Sequence, residues 1–189
     1  MKRWLARRFL RLTGWALETG VPAGPRYVLI AAPHTSNWDF VYFLALAWSA
    51  DVDLHWMGKS SLFFGPLGPL FRALGGIPIR RDRRSNVVAA TVEAFRERER
   101  LIITIPPEGT RGRRETWKSG FWHIARLAGV PIVPGYLDFA RKLGGLGPAL
   151  DASNDVRADM DRIRAFYADK AGLYPELFTP PRLKEESAD

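Results

Sequence analysis

Short apolar runs alternate with longer helix-like segments along most of this chain, and that alternation limits the fold more than any other feature. Strand-length runs fall at 27–32, 52–57, 77–79, 101–105 and 132–137. Segments long enough for helices fall at 40–49, 60–74, 86–98, 116–127 and 155–169. A strand that returns parallel to its predecessor needs a crossover, and a helix is the usual one. The expected class is therefore α/β: a mostly parallel central sheet with helices packed against it, plus an N-terminal amphipathic helix. At 189 residues one main domain is expected. The expected division is a surface helix over residues 1–20 and a single domain over residues 21–189.

Pro33-His34-Thr35-Ser36-Asn37-Trp38-Asp39 lies where the first strand run meets the first helix run. Open α/β sheets place ligands at such corners, outside the carboxyl ends of the strands. Asn37 or Ser36 can cap the helix, because their side-chain oxygens accept from its free N–H groups. Four residues separate His34 from Asp39. A carboxylate beside an imidazole accepts a hydrogen bond from one ring N–H, which fixes the tautomer, stabilises the imidazolium and leaves the other nitrogen as a base. The same residues fit a structural role, with Asp39 as a cap and His34 as a satisfied buried polar group.

Pro107-Glu108-Gly109-Thr110-Arg111 follows the run at 101–105. Gly109 suits a tight backbone, and Thr110 and Arg111 supply donors for an anion. Glu108 can orient a donor, contact a hydroxyl, or pair with the loop's own arginine. Together with His34 and Asp39, this loop resembles the glycerolipid acyltransferase family, best known through the lysophosphatidic acid acyltransferases. Gly76-Ile77-Pro78-Ile79-Arg80-Arg81 and Val130-Pro131-Ile132-Val133-Pro134 resemble two further blocks of that family, in the same order. The chain departs from the pattern at Pro33, where Asn is frequent, at Pro106, where Phe is frequent, and at Arg80, where an acidic residue is frequent.

The resemblance implies a glycerol-3-phosphate acyltransferase-like fold and an O-acyltransferase. It implies His34 and Asp39 as the catalytic pair, and Arg81, Glu108, Gly109, Thr110 and Arg111 as residues of the acceptor or phosphate site. No bound cofactor is implied. The co-substrate would be an acyl thioester, either acyl-CoA or acyl carrier protein, and the acceptor a lyso-lipid such as 1-acyl-glycerol-3-phosphate. Lys118 and Gly120 also stand at a spacing seen in the family.

The chain has no cysteine, which excludes disulfides and thiolate chemistry, and its three histidines lack metal-ligand spacing. His55 and His123 are expected to be structural. There is no Gly-x-Ser-x-Gly elbow, P-loop or Gly-x-Gly-x-x-Gly. The formal charge of +8 draws the chain to polyanions without choosing among them. A basic nucleic-acid-binding protein is one alternative, disfavoured by the absence of an RNP signature. A catalytically silent lipid-surface protein of the same fold is another, disfavoured by the presence of both His34 and Asp39.

Residues 1–17 read as an amphipathic helix. Leu5, Phe9, Leu12 and Ala16 form its apolar stripe, with Arg3, Arg7 and Arg11 nearly opposite and Trp4 and Trp15 between. That pattern also fits a helix packed on the domain, but the tryptophans and cations flanking the stripe favour a helix lying in an anionic membrane surface. No apolar run reaches the roughly 20 residues that span a bilayer. The expected setting is cytoplasmic, peripheral on the inner face of the cell membrane. The 60–74 segment carries Gly65-Pro66 and Gly68-Pro69 and reads as a broken helix, either packed in the core or lining lipid. Gly144, Gly145 and Gly147 read as a loop, and 184–189 as a loose tail.

Overall fold

A computed structural model describes residues 1–18, 24–79 and 84–187. Arg81 and its neighbours at 80–83 lie outside the described residues, as does the connector at 19–23. The strands are β1 (Ala16–Glu18), β2 (Arg26–Ala31), β3 (His55–Lys59), β4 (Gly76–Ile79), β5 (Leu101–Ile105), β6 (Ile132–Asp138) and β7 (Leu143–Leu146). They form one seven-stranded sheet in the order β1-β7-β6-β2-β5-β3-β4. All pairings are parallel except the β6–β7 hairpin. The helices are α1 (Lys2–Thr13), α2 (Trp38–Ser49), α3 (Gly68–Ala73), α4 (Arg84–Glu97), α5 (Gly120–Ala128) and α6 (Val156–Tyr167).

β2 shows why the sheet is covered on both faces. Its residues 27–30 are all buried, and successive side chains point to opposite sides. Val28 and Ile30 enter the large core with Phe95 of α4, Phe121 and Ile124 of α5, and Met160 and Ile163 of α6. Tyr27 and Leu29 face the other way, toward Phe43 of α2. The helix after β2 and the helix after the adjacent β5 thus leave to opposite faces. This is the topological switch point, where a crevice opens at the strand ends.

Three expectations change and one holds. Residues 143–146 are a strand rather than a loop, and Gly144 fits there because a Cβ would strike the Leu46 side chain of α2. The 60–74 segment is a broken helix as expected, a 3₁₀ turn (Ser60–Phe63) followed by the short α3. Phe63 and Phe71 meet Trp56 on its inner side, while Leu62, Phe64, Leu67 and Leu70 stay exposed. The tail is held: Leu183 is buried, and Glu186 accepts from Leu183 N and from Arg164.

The third change concerns α1. It buries Ala6 and Leu10 against Ala45 and Leu46 of α2 and Leu137 of β6. Trp15 is buried too, stacked on Tyr42 at 4.4 Å. Leu5 and Leu12 of the expected stripe are 52% and 76% exposed. The inward face is therefore rotated from that stripe, and residues 1–18 belong to the same packed unit as the rest of the sheet. No helix among the described residues is long and apolar enough to cross a membrane.

Candidate active site

β2 ends at Ala31, and the chain turns through a cis Ala32–Pro33 bond into α2. His34 sits in that turn with its side chain 20% exposed, and its Nδ1 lies 3.2 Å from Asp39 Oδ2. The same carboxylate oxygen accepts from Thr35 N at 2.8 Å and Ser36 N at 2.9 Å. Asp39 therefore closes the turn and fixes the imidazole at once. Ser36 Oγ accepts from Trp38 N at 3.1 Å, whereas Asn37 makes no side-chain cap bond. With Nδ1–H directed at Asp39, Nε2 is the ring nitrogen left to take a proton.

The loop after β5 reaches the same crevice. Glu108 is 1% exposed, and its Oε1 accepts from His34 N at 2.6 Å. Its Oε2 accepts from Thr179 N at 3.2 Å. Burial pushes the Glu108 carboxyl up to about 7, against the pull of those two N–H groups and of His34, while the Asp39 charge adds to the rise. Glu108 does not pair with Arg111, and its two oxygens are taken up by backbone donors. Gly109 has φ 67°, the left-handed region that favours glycine, and the end of the Lys118 side chain lies where a Cβ would go. Thr110 is half-buried and Arg111 exposed, both at the rim. The structure thus gathers His34, Asp39 and Glu108 at the switch point with Gly109, Thr110 and Arg111 beside them.

The other two histidines lie away from this crevice. His55 starts β3 at its amino end, and His123 Nε2 is 3.7 Å from Glu185 Oε1. Tyr167 of α6 lies beneath the site. It is fully buried, donates to Gly135 O at 2.9 Å, and thereby ties α6 to β6. Burial, and then the nearby Glu108 charge, hold its hydroxyl well above the usual range.

Glu108 makes a stability prediction. Its folded value lies above its ordinary 4.5, so its contribution is fully present below about 4.5 and is lost as pH rises through about 7. The loss is on the order of 3 kcal/mol for a shift of this size. Glu108→Gln is expected to flatten that part of the stability–pH profile, measured by chemical denaturation at several pH values. An unchanged slope between pH 4.5 and 7 would mean that Glu108 titrates normally.

A strand-end His–Asp pair at the switch point of an α/β sheet, with a glycine-bearing loop beside it, marks this crevice as the candidate active site. Residues 18–138 match the family described as Acyltransferase, and the chain belongs to that family. It is 34% identical over 137 residues to the 1-acyl-sn-glycerol-3-phosphate acyltransferase of Salmonella typhimurium, covering 67% of this chain and 54% of that protein. It is 36% identical over 110 residues to the protein of that name from Escherichia coli, covering 54% and 43%. The chain spans about half the length of these curated relatives. Among solved structures, the 1-acyl-sn-glycerophosphate (LPA) acyltransferase PlsC from Thermotoga maritima shares the fold, with a TM-score of 0.57 at 16% identity, over 89% of this chain and 77% of that one.

Proposed function

We propose that the chain moves a fatty acyl group from a thioester, acyl-CoA or acyl carrier protein, to a hydroxyl of a lysophospholipid such as 1-acyl-glycerol-3-phosphate. The single observation that carries this reading is the 3.2 Å His34–Asp39 contact at the end of the central strand. His34 Nε2 takes the hydroxyl proton as the oxygen bonds to the thioester carbonyl carbon. The carbon–sulfur bond then breaks, and the departing thiolate recovers the proton from the imidazolium. Asp39 holds the ring and balances its transient charge. No covalent acyl-enzyme is required, since a thioester already carries a good leaving group. The test is an acyl-transfer assay with both thioester donors against a panel of lyso-lipids. Transfer to none of them would overturn the reading.

Arg111 and Arg81, with Thr110 and the Gly109 backbone, are the groups proposed to meet the acceptor's phosphate, because a guanidinium fork matches that anion. Arg111→Ala is expected to raise the KM of the acceptor at least about tenfold, the value of one charge-assisted hydrogen bond, and that of the donor far less. A change confined to the donor KM would assign Arg111 to the thioester site.

The proposed setting is the inner, anionic face of a cell membrane, with α1 as the contact. Trp4, Leu5 and Leu12 are exposed on it, alongside Arg3, Arg7, Arg8 and Arg11. Each large side chain fully buried in lipid is worth about 1.5–3 kcal/mol, and each arginine at an anionic surface about 1 kcal/mol. Replacing Trp4, Leu5 and Leu12 with serine spares the inward residues Ala6 and Leu10. The variant is expected to keep its unfolding midpoint and to lose sedimentation with anionic vesicles. Unchanged sedimentation would move the contact to Leu62, Phe64, Leu67 and Leu70.

A further inference from the structure

After α6 the chain runs back across the strand ends, and it touches both loops of the site. Ala171 O accepts from Phe139 N at 2.9 Å, which starts the crossing at the end of β6. Tyr174 N then donates to Thr35 Oγ1 at 3.2 Å, inside the His34 turn. Gly172 lies so close that a methyl there would come within 2.7 Å of Thr35 Oγ1 and 3.1 Å of Pro33 Cβ. Further on, Thr179 is fully buried and uses three groups at once. Its N–H serves Glu108, its hydroxyl accepts from Arg114 N at 2.9 Å, and its carbonyl accepts from Trp117 Nε1 at 2.7 Å. All of this lies beyond residue 138, where the family match ends.

We propose that this strap, residues 171–182, is a positioning element of the active site: Thr179 N–H holds Glu108, Glu108 holds the His34 backbone, and Gly172 with Tyr174 N–H holds Thr35. The proposal rests on His34 as the base. The reasoning is one of span. A buried carboxylate with one N–H on each oxygen joins two backbone segments at fixed separation, and here they are the base's own residue and the strap. Without the Thr179 donor, Glu108 is half-satisfied in a dry site, an expensive state that favours its protonation. A carboxyl no longer held from the strap side lets the His34 backbone shift against it, while Asp39 still closes the turn through Thr35 N and Ser36 N. A displacement of about 1 Å at the base is enough to cost up to about a hundredfold in rate.

Three variants test this in the full chain, with lysophosphatidic acid and acyl-CoA as substrates and the His34 ring titration followed by NMR. Thr179→Pro removes the N–H, and Phe178, at φ −64° and ψ 130°, is already in the conformation that precedes proline. Thr179→Ala keeps the N–H and serves as its reference. Gly172→Ala pushes the strap off Thr35 through side-chain contacts alone. Thr179→Pro and Gly172→Ala are expected to lower kcat about tenfold or more relative to Thr179→Ala. The acceptor KM stays within about threefold, the sign of a lost transition-state geometry, and the His34 titration moves. Folded Thr179→Pro and Gly172→Ala proteins with the kcat and His34 titration of the reference would overturn the proposal and leave the strap a structural cover. If Thr179→Pro does not fold, Gly172→Ala decides alone. If the unmodified chain transfers no acyl group, the functional reading falls, and the His34 titration still decides whether the strap sets the ring.

Discussion

His34→Ala lowers acyl transfer by at least about 10²–10⁴-fold, the usual contribution of a positioned general base, in a protein that stays folded. The fold survives because the contact that anchors residue 34 is its backbone N–H to Glu108, which alanine retains. Asp39 also keeps its bonds from Thr35 N and Ser36 N, so the turn into α2 still closes. What disappears is the ring, and with it the group proposed to take the hydroxyl proton. Asp39→Asn is expected to follow in the same direction, since an amide cannot balance the imidazolium and can turn its NH₂ toward two backbone donors. The measurement is kcat/KM beside circular dichroism and a thermal midpoint. A folded His34→Ala protein with more than about a tenth of normal turnover would remove the base from His34 and with it the mechanism.

The parts of this molecule that could be read from the sequence are those whose cause is local. β5 appears as a strand at its full length because an apolar run between a charged segment and Pro106 has no other good use. The His34–Asp39 pair was legible because one turn of chain brings its two members together. Glu108 was legible as a site residue, but its partner was not. Thr179 is 71 residues away and carries no signature, because what it supplies is a backbone N–H that every non-proline residue has. β7 was missed for a different reason. Its glycines lower strand propensity, yet here they admit α2, and only the position of Leu46 reveals that. The face of α1 was misread because its most inward residue is Ala6, too small to mark an apolar stripe, while the larger Leu5 and Leu12 point outward.

That rotated face leads to the second large expected effect. Removing residues 1–18 is expected to destabilise the whole fold severely rather than release an independent domain. The deletion takes away Leu10 and Trp15, with Phe9 partly buried beside them, and uncovers Ala45, Leu46 and Leu137. It removes the stack of Trp15 on Tyr42 and its edge contact with Phe139 at 4.9 Å. It also strips β1 from β7, leaving a glycine-rich strand with its outer row of N–H and C=O groups bare, and deletes the Glu18 carboxylate that pairs with the buried Tyr136 hydroxyl. Large side chains contribute about 1.5–3 kcal/mol each on burial, so the loss is on the order of 5 kcal/mol or more. A domain's whole stability is roughly 5–15 kcal/mol. For a chain of this length such a loss lowers the midpoint by about 10–20 °C, before the exposed edge is counted. Differential scanning calorimetry of the full and shortened chains reads the effect directly. A shortened chain that unfolds within a few degrees of the full one would show that α1 is an appendage, and the deletion would then become a clean test of membrane docking. With α1 built into the α2 face, only the outward substitutions at Trp4, Leu5 and Leu12 separate docking from folding.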